Sequence, residues 1–159
     1  MATLVGRKFK TAQTVYDLNE NVYIGEALNS RLGRTPFEII NPVENGRVTD
    51  WEVMEKLWDH CFLNELKCDS TGMKILLTEK PKNPRKNREM MAELMFEYFK
   101  VDNLYIALQF VLALYSSGRT TGVSCDIGEG TTCVAPIVEG YPIQEAVRKV
   151  NLGGKDITD

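Results

Sequence analysis

The chain has 159 residues, 43% of them hydrophobic and 26% charged, enough for one ordinary globular domain with a core and too little for two comfortable ones. Its 22 acidic and 19 basic side chains leave a formal charge of −3, which points away from a nucleic-acid-binding surface. No apolar run approaches the ~20 residues needed to cross a bilayer, and the first residues lack the apolar stretch of a signal peptide. Four cysteines (Cys61, Cys68, Cys125, Cys133) without a CxxC pair, beside the single His60, argue against structural zinc and read as free thiols in a reducing cytosol.

Residues Met1 to Glu20 are weakly patterned. Val22-Tyr23-Ile24 reads as a short strand and Glu26 to Arg31 as a short helix capped by Gly33, while Phe37 to Ile40 alternates loosely before the Asn41-Pro42 turn. Glu44-Asn45-Gly46 is a second turn. Asp50 then caps the clearest helix, whose apolar residues Trp51, Met54, Leu57, Trp58, Cys61, Phe62 and Leu66 recur at helical spacing and read as core. His60 falls on its polar side, with no serine or cysteine at motif spacing to make it catalytic.

Lys74 to Thr78 reads as a buried strand. Glu79 to Arg88 reads as a loop, and its Lys80, Lys82, Arg85, Lys86 and Arg88 as a solvated charged face. A second amphipathic helix is expected over Glu89 to Phe99, with Met91, Leu94, Met95, Phe96 and Phe99 inward; a strand over Leu104 to Ala107 and an apolar helix over Gln109 to Tyr115 follow. This alternation argues for an α/β architecture. Ile143 to Val150 is amphipathic but short, and Gly153 to Asp159 looks like the entry to another helix, with Asp156 or Thr158 as its cap. A chain ending on such a signal is expected to be incomplete.

Between these elements lies Val123 to Val134, which reads as strand, tight turn and strand around Gly128-Glu129-Gly130, with Asp126 at its mouth. The glycines permit backbone angles that other residues resist. Backbone N–H groups beside two glycines can line a phosphate, and a carboxylate there can hold a metal-bound water. An ordinary hairpin satisfies the same pattern.

A longer ordered series carries more information. Glu44-Asn45-Gly46, Val48-Thr49-Asp50-Trp51, Leu76-Leu77-Thr78-Glu79, Asn83-Pro84, Lys86-Asn87-Arg88-Glu89 and Met95-Phe96-Glu97 stand in the order of actin sequences. So do Ala113-Leu114-Tyr115, Ser117-Gly118-Arg119-Thr120-Thr121-Gly122, Glu139-Gly140-Tyr141 and Asp156-Ile157-Thr158-Asp159. From about Leu4 to its end the chain resembles actin and the closest actin-related proteins, as a divergent member.

The resemblance implies a partial actin-like ATPase (ribonuclease H-like) α/β fold, in which two lobes close on MgATP and each supplies a phosphate hairpin. It divides the chain into part of the small flexible subdomain (1–42), the body of the first lobe (43–117) and the start of the second lobe with the second phosphate hairpin (118–159). By that pattern Asp126, Gly128, Glu129 and Gly130 face ATP or ADP phosphates, Asp126 also holds magnesium through water, and Gln109 orients the attacking water. The match also implies that less than half of an actin is present, without the first phosphate loop and most of the second lobe. Ile127 and Glu129 stand where actin has Ser and Asp, and Cys133 and Asn45 where it has histidines. The segment Lys8 to Thr14 departs from the loop that grips the next protomer in a filament.

The function implied is that of an ATP-binding, filament-forming cytoskeletal protein of the cytoplasm, a fragment whose partners are actin-like protomers or actin-binding proteins. Independent ATP hydrolysis is not expected, because positioning and charge stabilisation need both walls of the cleft. The alternative is a non-catalytic, actin-derived interaction module that binds actin or its partners. Apolar surface left open in a partial lobe implies poor solubility or a bound partner.

Overall fold

The computed structural model describes residues 5–8, 22–24 and 37–158. The expected helix over Glu26 to Arg31, its Gly33 cap and the segment that follows Lys8 lie outside the described residues. Contacts divide the chain into two units, Met1–Glu44 with Val48–Asp69 and Asn45–Arg47 with Ser70–Asp159.

In the first unit, β1 (Val5–Lys8) is the middle strand of an antiparallel sheet with β2 (Val22–Ile24) and β3 (Phe37–Ile40). Val5 is registered with Ile24 on one side and Ile40 on the other. The sequence gives β1 no strand pattern, since Val5-Gly6-Arg7-Lys8 has a single apolar side chain; hydrogen bonding to a partner on each edge makes it a strand. After β4 (Val43–Glu44), Asn45 and Gly46 both take positive φ, +48° and +73°, the geometry that turns a two-residue hairpin back into β5 (Arg47–Val48).

Helix α1 (Trp51–His60) begins where Asp50 Oδ1 accepts the Val53 N–H at 3.0 Å. Val53 and Leu57 are its most buried residues and pack with Met54 and Ile40. Beyond His60 the helix widens into a turn of π-helix, Cys61–Glu65, where the Leu66 N–H reaches back to the Cys61 carbonyl at 2.8 Å. The extra residue shifts the helical phase. Leu66, expected on the buried stripe, is 64% exposed, while Phe62 stays buried.

In the second unit, β6 (Lys74–Glu79) and β7 (Asn103–Leu108) are parallel, registered from Lys74↔Asn103 to Glu79↔Leu108. The connection carries α2 (Arg85–Glu93), which starts four positions before the sequence expectation. Pro84 stands at its N-cap with φ −57°, so the helix begins directly after the proline and takes in the last four residues of the expected basic loop. Helix α2 ends as α1 does, through a π-turn (Leu94–Tyr98), a lysine with positive φ (Lys100, +53°; Lys67, +52° after α1) and a closing N–H three residues past the π-turn (Val101 to the Met95 carbonyl, Cys68 to that of Phe62). Met91, Met95 and Phe99 are buried as expected, whereas the π-turn leaves Phe96 exposed.

Helix α3 (Gln109–Ser116) follows β7 directly. Its Phe110, Val111 and Leu114 pack with Cys133, Ala135 and Ile137 of β9 (Thr132–Val138) and with Val147 to form the main core. Strand β9 is flanked by β8 (Gly122–Ile127) on one edge and by β10 (Tyr141–Pro142) and β11 (Arg148–Val150) on the other, all antiparallel. The amphipathic stretch after Ile143 resolves into one 3₁₀ turn (Gln144–Ala146) and β11. Helix α4 (Gly154–Thr158) closes the described chain. Its expected caps act differently: Asp156 lies inside the first turn and accepts from the Gly153 N–H at 2.7 Å, and the Thr158 hydroxyl donates to the Gly154 carbonyl at 2.9 Å. All four cysteines are free thiols.

Both tryptophans, Trp51 and Trp58, belong to α1, so their fluorescence reports the first unit alone. Asp50→Ala removes the cap of α1 and is expected to cost about 1 kcal/mol. Urea unfolding followed by tryptophan emission checks this; an unchanged midpoint would mean that the cap carries no stability.

Candidate functional site

The central hairpin forms as expected. β8 and β9 run in register from Gly122↔Ile137 to Ile127↔Thr132, and the turn closes with the Gly128 N–H donating to the Thr131 carbonyl at 2.9 Å. Asp126 and Cys133 are directly opposite, so their side chains leave the same face of the ribbon.

The turn is tied down from one side. The Gly128 carbonyl accepts the N–H of Gly154 at 2.9 Å, and the Glu129 carbonyl accepts that of Lys155 at 2.8 Å. Thr132 donates its hydroxyl to the Leu152 carbonyl at 2.7 Å. The first turn of α4 therefore spends its free N–H groups on the hairpin's carbonyls. Gly153 is pressed so closely on this turn that a Cβ would overlap the Glu129 carbonyl. By contrast, the N–H groups of Glu129 and Gly130 have no hydrogen-bond acceptor among the described residues.

Gly128 and Gly130 do not use the backbone angles expected of them, since neither has positive φ. Space does not demand glycine either. A Cβ on Gly128 would lie 3.4 Å from the Thr131 carbonyl oxygen and 3.6 Å from Lys80 Nζ, and one on Gly130 would lie 3.7 Å from Asn45 Oδ1. The fold itself would accept alanine at both positions.

Lys80 is the residue the sequence reading missed. Its ammonium forms an ion pair with Asp126 Oδ2 at the mouth of the hairpin, and the two side chains are only 13% and 18% exposed. Lys80 follows β6 directly, as Gln109 follows β7, and the registered pair Glu79↔Leu108 brings both residues off the sheet at the same level. These are the C-terminal ends of parallel strands, where open α/β sheets place their ligands. A charged residue directly after an apolar strand-like run was the available signal, although the strand itself, expected to be buried, is largely exposed along Lys74, Leu76 and Thr78.

Glu79, also assigned to the solvated loop, is buried as the last residue of β6. It takes an ion pair from Arg88, whose Nε also lies at 3.3 Å, and a hydrogen bond from Asn83 Nδ2 at 3.0 Å. Lys149 donates to the Asn45 carbonyl at 2.9 Å, and burial pushes its ammonium below the ordinary value, with Arg47 and Lys80 acting the same way. Cys133 is buried in the main core. Burial pushes its thiol up, against the opposing pull of Lys80, so it is an uncharged packing residue.

Of the expected site residues, Asp126, Gly128, Glu129 and Gly130 share the hairpin, with the Glu129 side chain exposed. Gln109 is exposed at the first position of α3. His60 pairs with Glu65 at 3.3 Å in the first unit.

A parallel βαβ pair is followed by a helix and a glycine hairpin beside the strand ends, an α/β arrangement consistent with a partial actin-like fold. A family model described as actin matches residues 1–159, and the chain belongs to the actin family.

The docking of Gly153 on the hairpin yields a matched pair of substitutions. Gly153→Ala is expected to cost about 1–3 kcal/mol by overpacking, because the Glu129 backbone would have to move. Gly154→Ala, with its nearest neighbour 3.9 Å away at the Gly128 carbonyl, should be tolerated. Thermal unfolding of both variants by circular dichroism checks this, and equal losses would contradict the close approach.

Proposed function

We propose that this chain binds the phosphates of ATP or ADP on the turn Gly128-Glu129-Gly130, as an ATP-binding, filament-forming cytoskeletal protein of the cytoplasm. The observation that carries the reading is the pair of N–H groups on Glu129 and Gly130, left without acceptors in a turn whose Gly128 lies close to the Lys80 ammonium, while the Gly128 and Glu129 carbonyls are tied to α4. Oriented N–H groups next to a cation form a seat for an anion. Glycines that the fold does not require leave room for a phosphate against the backbone.

In this reading the Glu129 and Gly130 N–H groups bind phosphate, Gly128, whose own N–H closes the turn on the Thr131 carbonyl, only leaves room for the anion, and the exposed Glu129 carboxylate turns towards solvent, away from it. Gln109, at the strand end next to Lys80, holds a water near the terminal phosphate. Cys133 takes no part, because its thiol is neutral and buried. Family partners of this chain are other actin-like protomers, met through filament contacts.

A second reading is a non-catalytic module that binds actin or its partners. It is favoured by the face of the β6–β7 pair that carries Leu76 and Tyr105, registered neighbours that are both well exposed. Parallel sheets ordinarily have both faces covered. Co-sedimentation with filaments of full-length actin tests it, and a chain that stays in the supernatant without altering filament growth would sink it.

Gly130→Ala separates nucleotide binding from stability. The substitution should leave the unfolding temperature unchanged or slightly raised, since alanine fits and the unfolded chain loses freedom. It should weaken ATP binding by at least about tenfold, as expected for a methyl group worth about 1.4 kcal/mol against the phosphate. Titration calorimetry with ATP checks both proteins. Equal affinity in the two would remove the turn from the binding site.

A further inference from the structure

The family resemblance assigns Asp126 to a metal-bound water, and the donor set can be tested against that role. A hydrated divalent cation needs the carboxylate free to accept from its water ligands and needs low positive charge nearby. Here Asp126 Oδ2 is already engaged by the Lys80 ammonium, and both side chains are largely shielded from solvent. Lys149 and Arg47 act on the same region with the same sign as Lys80. Among the described residues, no group of three or more His, Cys, Asp or Glu side chains gathers to offset that charge. The residues present do not fit a hydrated magnesium at Asp126.

The same geometry gives Lys80 a positive role. Its Nζ lies 3.6 Å from where a Cβ of Gly128 would stand, so the ammonium sits against the turn whose Glu129 and Gly130 N–H groups are unengaged. A cation in that place does two things that a divalent ion would otherwise do: it neutralises the carboxylate, and it offers charge to a phosphate on the turn. It belongs to the chain, so it is present before any ligand arrives. It also adds to the cost of bringing a second cation to the same carboxylate.

We propose that Lys80 is the resident cation of this hairpin: it excludes a divalent metal from Asp126 and supplies the counter-charge for a phosphate ligand, so the site takes a nucleotide as the free anion rather than as its metal complex. Metal exclusion stands on the ion pair alone. The preference for the free anion rests on the phosphate-binding reading given above.

The two parts are tested on the 159-residue chain by amide NMR. Manganese is added as a paramagnetic probe to the wild-type protein and to Lys80→Gln and Lys80→Ala, with retained peak dispersion showing that each is folded. The amides from Asp126 to Gly130 should keep their intensity in the wild type and lose it selectively in the variants. Selective loss in the wild type overturns the exclusion, and so does its absence from folded variants. Should neither variant fold, the wild-type arm still decides.

In the second arm ATP is added to the wild type with excess EDTA and then with magnesium. The Glu129 and Gly130 amides should shift in EDTA, and magnesium should not strengthen the binding. Shifts that need magnesium overturn the inference and leave nucleotide binding standing. No shifts under either condition overturn nucleotide binding and the free-anion claim together, while the manganese result still decides the exclusion.

Discussion

The ion pair between Lys80 and Asp126 joins parts of the chain that the sequence keeps 46 positions apart. Lys80 leaves the sheet at the end of β6, and Asp126 enters the turn at the end of β8. Two charges this little exposed are stable only as a pair, since removing either would leave the other shielded and uncompensated. The consequence is geometric. The pair fixes the hairpin's mouth against the C-terminal end of the parallel strands, where Gln109 also emerges. Beside it, Glu79 is held by Arg88 and Asn83, so β6 ends in two oppositely charged side chains, each with its own partner.

The turn is held from two further directions. Helix α4 takes up the Gly128 and Glu129 carbonyls, and Asn45 lies against Gly130 while its own carbonyl binds Lys149. On the face of the ribbon that also carries Asp126, Cys133 and Ala135 join Phe110 and Leu114 of α3 in the main core. The Gly128 and Glu129 carbonyls are therefore consumed, while the Glu129 and Gly130 N–H groups are not. That polarity is built by neighbours rather than by the turn's own residues.

Much of the architecture was legible locally. Asp50 marked its helix because a cap is a short-range hydrogen bond, and the strands from Lys74 to Val138 followed from apolar, β-prone runs between turn residues. What failed depended on partners. β1 is a strand by pairing on both edges, and β11 by joining the free edge of β9. Leu66 and Phe96 swung out of the predicted stripes because a π-turn adds a residue that no periodicity contains. At the site, composition exposed the glycine turn but misread its glycines, which serve neither special angles nor tight packing against protein. Lys80 was hidden among other basic residues, and only the fold shows that its carboxylate partner lies on the hairpin.

The central claim is that Lys80 and Asp126 act as one unit. A double-mutant cycle with Lys80→Ala, Asp126→Ala and the double variant measures it most directly, read by native-state hydrogen exchange at the β8 and β9 amides. Coupling of about 1–3 kcal/mol is expected for two shielded partners in contact. Additive losses, with coupling indistinguishable from zero, would contradict it, because the hairpin would then be fixed without the pair.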